Sequence, residues 1–141
     1  MAVDRRFTLA SFAARLVSSV FLVFATYNPS GYSYYHWVSE LDIGNWILKL
    51  LVALVLGILY ATFGLATRRS LGRLGIAAWL LFFAVVTWML VDFGLIRIAG
   101  TGTVATIVLV DLANLLAIGL SWSYVRARLS GQADTNNVTL P

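Results

Sequence analysis

Four apolar stretches, at about 7–27, 45–66, 74–93 and 103–124, take up more than half of the 141 residues. Each comes close to the roughly 20 residues that a helix needs to cross a bilayer. The pattern predicts an all-α fold: an integral membrane four-helix bundle with up-down topology. The longest stretch between helices, 28–44, is too short to bury a core of its own. Residues 1–129 are therefore expected to form one transmembrane domain. The polar, helix-poor segment 130–141 is expected to be a disordered cytoplasmic tail, and its Asn137-Val138-Thr139 sequon to be unmodified.

Composition agrees. With 60% hydrophobic and 11% charged residues and a mean hydropathy of +0.87, the chain has too little polar surface to cover a soluble globule of this size. The first stretch has the basic start and apolar run of a signal peptide, but Arg15 interrupts it and no small-x-small cleavage site precedes Asn28, so it reads as a spanning helix. The absence of cysteine rules out disulfides, thiolate catalysis and thiolate metal sites.

The basic residues set the orientation. Arg5 and Arg6 precede the first stretch, Arg68, Arg69 and Arg73 lie between the second and third, and Arg126 and Arg128 follow the fourth. Counted by the positive-inside rule, these seven of ten basic residues put both termini and the middle connection in the cytoplasm. Lys49 and Arg97 fall near the opposite ends, with Glu40 and Asp42 on that side too. The pI of about 9.9 does not indicate nucleic-acid binding, because the charges form short flanking clusters that suit anionic lipid headgroups.

The segment Asn28-Pro29-Ser30-Gly31-Tyr32-Ser33-Tyr34-Tyr35-His36-Trp37 is the most distinctive local text. Pro29 disfavours helical geometry at Asn28, and Asn in first and Gly in fourth position suit a type I turn. Ser33 then caps a short interfacial helix on which Tyr34, Trp37, Val38 and Leu41 share an apolar face. Tyr27, Tyr32, Tyr35 and Trp46 add an aromatic belt at the same depth. Asn28, Pro29, Gly31, Tyr32, Tyr34, His36 and Trp37 are the candidate external interaction site, which either anchors the loop or folds back over the mouth of the bundle. His36 and Glu40, four apart, suggest a metal or acid/base pair. One histidine and one carboxylate do not make such a site, and a solvent-facing pair explains the spacing.

Within the apolar stretches Arg15 and Asp111 are costly, each at roughly 2.5–3.5 kcal/mol near a helix centre unless paired or wetted. Each lies eight residues from its stretch's end, about 12 Å from opposite edges of a core about 30 Å thick, so their levels differ by about 6 Å. An Arg15–Asp111 pair is expected, with Asn114 one turn along the same face. As a buried lock, this cluster fixes helix register. If Asp111 is unpaired in a wet cavity, it belongs to a solute or ion path. Asp92 and Arg97 read as a surface pair. Small-residue rows at Gly57, Ala61 and Gly64, at Gly75 and Ala78, and at Ala113 and Ala117 mark expected helix contacts.

The run Thr26-Tyr27-Asn28-Pro29-Ser30-Gly31-Tyr32-Ser33-Tyr34, followed by His36-Trp37, resembles that of a family of small, functionally uncharacterised bacterial inner-membrane proteins. The resemblance implies four spans and an Asn-Pro-Ser/Thr-Gly turn on the outer side, and supplies no catalytic residue. Two classes of function follow from the chain itself. The first is a non-catalytic accessory, assembly or scaffold component that binds protein, lipid or a second copy through its helix faces and aromatic loop. The second is an oligomeric channel or carrier using Arg15, Asp111 and Asn114. With no cofactor fingerprint, an enzyme ranks third.

Overall fold

A computed structural model describes residues 8–40 and 45–129, with side chains to residue 122. Arg5, Arg6, Leu41, Asp42 and the tail 130–141 lie outside the described residues. Among the described residues four helices appear in order: α1 Leu9–Thr26, α2 Tyr34–Ser39, α3 Trp46–Asp92 and α4 Thr101–Leu129. The described residues hold no strand. Three of the helices, α1, α3 and α4, are long and apolar enough to cross a membrane.

α1 starts where Thr8 and Ser11 cap each other. Thr8 Oγ1 accepts from the Ser11 N–H at 3.1 Å and Ser11 Oγ accepts from the Thr8 N–H at 3.2 Å, a capping box with serine in place of the usual glutamate. The helix ends at Thr26, because Tyr27 is extended and Pro29 follows. At about 1.5 Å per residue its 18 residues cover about 27 Å.

The two central helices expected at 45–66 and 74–93 are one helical run of 47 residues, broken only at Gly72. The connection expected to carry Arg68, Arg69 and Arg73 is therefore itself helical on both sides of that glycine. Residues 67–71 and 73 include no proline, so nothing stops the first limb early. Gly72 stands at φ 67°, ψ 178°, a region essentially open to glycine alone, and it reverses the chain.

The direction of each limb follows from its neighbours on α4. In limb 46–71, Tyr60 and Phe63 pack on the cluster of Val23, Ala113 and Leu116, and Thr67 lies against Gly119, so both numberings rise together. In limb 73–92, Thr87 lies beside Asp111, and the eight-residue connection 93–100 brings the chain straight back into Thr101, so the numberings oppose. Without the break, 47 residues would extend about 70 Å.

α4 is the element on which α1 and both limbs of α3 pack. Its Ala113 and Ala117 are fully buried together with Leu22 and Val23 of α1, so that row does bring helices close. The other small-residue rows do not, except that a Cβ at Gly75 would lie 3.1 Å from Leu71 Cβ across the break at Gly72. Gly57 and Ala61 are exposed, and the space beside Gly57 and Gly64 is open. Ala78 is also exposed. The closest approach falls instead at Gly119, where any Cβ would collide with the Thr67 side chain.

Candidate functional site

Asn28 organises the turn after α1 with its own side chain. Asn28 Oδ1 accepts from the Ser30 N–H at 3.0 Å and from Ser30 Oγ at 2.5 Å, and Asn28 Nδ2 donates to the carbonyls of Tyr32 and, at 3.4 Å, Phe24. The Gly31 N–H reaches the Asn28 carbonyl at 3.5 Å, closing the expected four-residue turn. Gly31 then leaves at φ +91°, which a side chain would oppose.

This turn carries Pro29 and Ser30 over the start of α4. A Cβ built on Gly102 would lie 3.6 Å from Pro29 Cβ, ordinary contact. Beneath them is a cavity of about 800 Å³, open along one side, between limb 73–92 and α4. Phe83, Val86, Leu90, Ile96, Ile107 and Val110 supply apolar walls, and Ser30, Thr87, Thr103, Thr106, Asp111 and Asn114 supply polar groups. Asp111 lies ten residues into α4, about 15 Å along its axis.

The polar lining has a consistent sense. Thr106 Oγ1 donates to the Gly102 carbonyl at 2.9 Å, and Ser30 Oγ donates to Asn28 Oδ1, so each hydroxyl proton is already engaged. Asn114 Nδ2 donates to the Val110 carbonyl at 2.8 Å, which leaves Oδ1 as an acceptor. The Thr87 hydroxyl stands within hydrogen-bonding reach of the half-buried Asp111 carboxylate.

The expected Arg15–Asp111 pair does not form among the described residues. Arg15 Nη1 donates to Ser11 Oγ at 3.4 Å on its own helix, one turn toward the start of α1, where an arginine side chain reaches readily. Asp111 instead faces the cavity with Asn114. Asp92 and Arg97 are both exposed, without an ion pair between them among the described residues.

The proposed external site divides into two. Its turn end roofs the cavity, whereas its helical end clamps a lysine that the sequence reading had left unassigned. Lys49 is only 4% exposed; its Nζ donates to the Glu40 carbonyl at 3.0 Å and lies 5.7 and 5.9 Å from the ring centroids of Trp37 and Trp46. The Tyr34 hydroxyl donates to the Lys49 carbonyl at 3.0 Å, and Tyr34 meets Trp37 edge-on at 6.2 Å. Ser33 occupies the N-cap position of α2, but its hydroxyl engages His36 Nδ1 at 2.7 Å instead of a backbone N–H. His36 is not solvent-facing: it is half-buried and stacks on Tyr27 at 5.6 Å. Tyr32 joins the turn only through its carbonyl; the residue is 88% exposed and its ring packs in neither group.

Thr87, Thr103, Thr106 and the apolar wall were missed by sequence reasoning. A signal for part of it was present: residues 103, 106, 107, 110, 111 and 114 recur at three- and four-residue steps and so share one face of α4.

The model of a family of unknown function (DUF6524) matches residues 10–140, and the chain belongs to that family. Neither the curated proteins nor the solved structures hold a match to it.

Proposed function

We propose that this family member is a four-span integral protein of the bacterial inner membrane, and that it binds a small solute in the cavity beneath the Asn28–Gly31 turn as the binding unit of an oligomeric carrier or channel. The four-span reading rests on the reversal at Gly72, which divides a helix about 70 Å long into two limbs near bilayer length. Arg68, Arg69 and Arg73 cluster at that reversal, while Trp37, Trp46, Tyr27, Tyr32, Tyr34 and Tyr35 collect at the opposite end, in keeping with cytoplasmic termini and an outward-facing turn. The up-down bundle is part of the same proposal.

One observation carries the functional reading: Asp111 and Asn114 line a cavity roofed by Pro29 and Ser30, instead of being sealed in a packed lock. A carboxylate at this depth without a basic neighbour in the lining is costly unless water or a ligand reaches it. The reading needs no catalytic residue. A single cysteine at Thr106, in a chain with none of its own, should react with a membrane-impermeant thiol reagent from the outer side, while one at the buried Ala117 stays protected. An unreactive Thr106→Cys protein would contradict the binding reading.

A second reading, as an accessory or scaffold component, is favoured by a separate observation. Limb 46–71 of α3 exposes Ile47, Leu51, Leu54 and Ile58 beside the open row of Gly57 and Ala61, a surface suited to a second copy or a partner helix as well as to lipid. Purification in mild detergent followed by mass spectrometry would reveal a stoichiometric partner.

A further inference from the structure

We infer that the cavity selects an organic ammonium ion with an apolar body; this rests on the solute-binding reading above and adds the chemistry of the ligand. The polar groups of the lining are left mostly as acceptors. The hydroxyl protons of Ser30 and Thr106 are spent on Asn28 Oδ1 and the Gly102 carbonyl, and Asn114 has turned its amide toward the Val110 carbonyl. What these groups present to an incoming molecule is mainly lone pairs, with one amide hydrogen of Asn114 left beside its Oδ1. Asp111 adds the one carboxylate, and no lysine, arginine or histidine lines the cavity among the described residues. An anion would meet this set with no cation to receive it, and a neutral acceptor would leave it unsatisfied.

The size and the walls define the rest of the ligand. A bare metal ion needs a tight shell of oxygens, whereas about 800 Å³ lined by Phe83, Val86, Leu90, Ile107 and Val110 falls in the range of sites for small organic molecules, roughly 300–1,000 Å³. The ammonium group sits at Asp111 and donates to its carboxylate and to Asn114 Oδ1, and the apolar part lies along the walls toward Pro29. Such an ammonium group can come from a free amine or from the headgroup of an aminophospholipid.

The test uses the full chain in nanodiscs of phosphatidylglycerol, with radiolabelled hexylamine as probe and labelled hexanol and hexanoate as its neutral and anionic counterparts. Empty nanodiscs give the partitioning background. Saturable hexylamine binding is expected, at least tenfold tighter than that of hexanol or hexanoate, with at least a tenfold loss in Asp111→Asn. Val110→Phe, which places a ring in the cavity, should abolish it. If Asp111→Asn does not yield a monodisperse protein, the Val110→Phe comparison and the three-probe ranking carry the result. Adding phosphatidylethanolamine to the discs separates the sources: competition identifies the lipid headgroup, and undiminished binding identifies a free amine.

Equal binding of hexylamine and hexanol, both lost in Val110→Phe, would overturn the cation preference and leave solute binding intact. Absence of saturable binding by all three probes would overturn this inference, while the Thr106→Cys labelling judges the binding reading separately.

Discussion

The side chain of Thr67 on α3 lies directly on the backbone of Gly119 on α4, so that a methyl group at Gly119 would overlap the Thr67 hydroxyl, methyl and Cβ. This contact sits where the first limb of α3 runs beside the second half of α4, and it fixes how closely the two can approach. Gly119→Ala is expected to lower stability by about 1–3 kcal/mol through overpacking. Thr67→Ala removes two of the three crowding atoms and should restore part of the loss, as read by thermal unfolding in detergent. Full tolerance of Gly119→Ala would show that the helices do not meet there.

Gly72 is tested by the same substitution with a different cause. Alanine at φ 67°, ψ 178° is strained by about 1–3 kcal/mol, and a helix that continues through residue 72 loses the reversal. Gly72→Ala should therefore unfold at lower temperature and elute as a broader, aggregated species. Gly64→Ala is the control: it lies within the helix with open space beside it, and should be stabilising by roughly 0.5–1 kcal/mol.

Lys49 ties α2 to the start of α3 through a carbonyl and two indole rings. Lys49→Met keeps most of the apolar stem and removes the ammonium, so a loss of about 1–2 kcal/mol is expected. Faster hydrogen exchange should appear across residues 34–40, with the rest of the chain unchanged. Unaltered exchange in α2 would mean that the clamp does not hold it.

Arg15 and Asp111 have separate polar surroundings, so their substitutions should not couple. In a double-mutant cycle, Arg15→Leu and Asp111→Asn are expected to add within about 0.5 kcal/mol. A coupling energy well above about 1 kcal/mol would restore the direct pair.

Much of the helical layout was legible in the sequence because length and hydropathy act locally. The end of α1 at Thr26 and the turn from Asn28 to Gly31 follow from Pro29 and Asn28, whose preferences need no distant partner. The helical continuation through Arg68 and Arg69 was less legible, since charge marks a membrane edge without breaking a helix, and only Gly72 punctuates the run. The site was half legible. Asp111 and Asn114 stood out by their polarity, but depth along two helices cannot give rotation about their axes, so Arg15 was assigned to Asp111 when it bonds Ser11. Thr87 was hidden for the same reason: its place on the cavity depends on how limb 73–92 faces α4.

The placement of the Asn28–Gly31 turn over the cavity is tested most directly by cross-linking Pro29→Cys to Gly102→Cys in this cysteine-free chain. The 3.6 Å between Pro29 Cβ and a Cβ at Gly102 falls within the roughly 3.5–4.5 Å that a disulfide spans. Mild oxidation in membranes should join the two cysteines nearly completely within one chain and slow thiol labelling of a Thr106→Cys reporter, with its own singly substituted control alongside. Failure to cross-link, with both cysteines free and reactive, would place the turn away from α4 and contradict the roofed cavity.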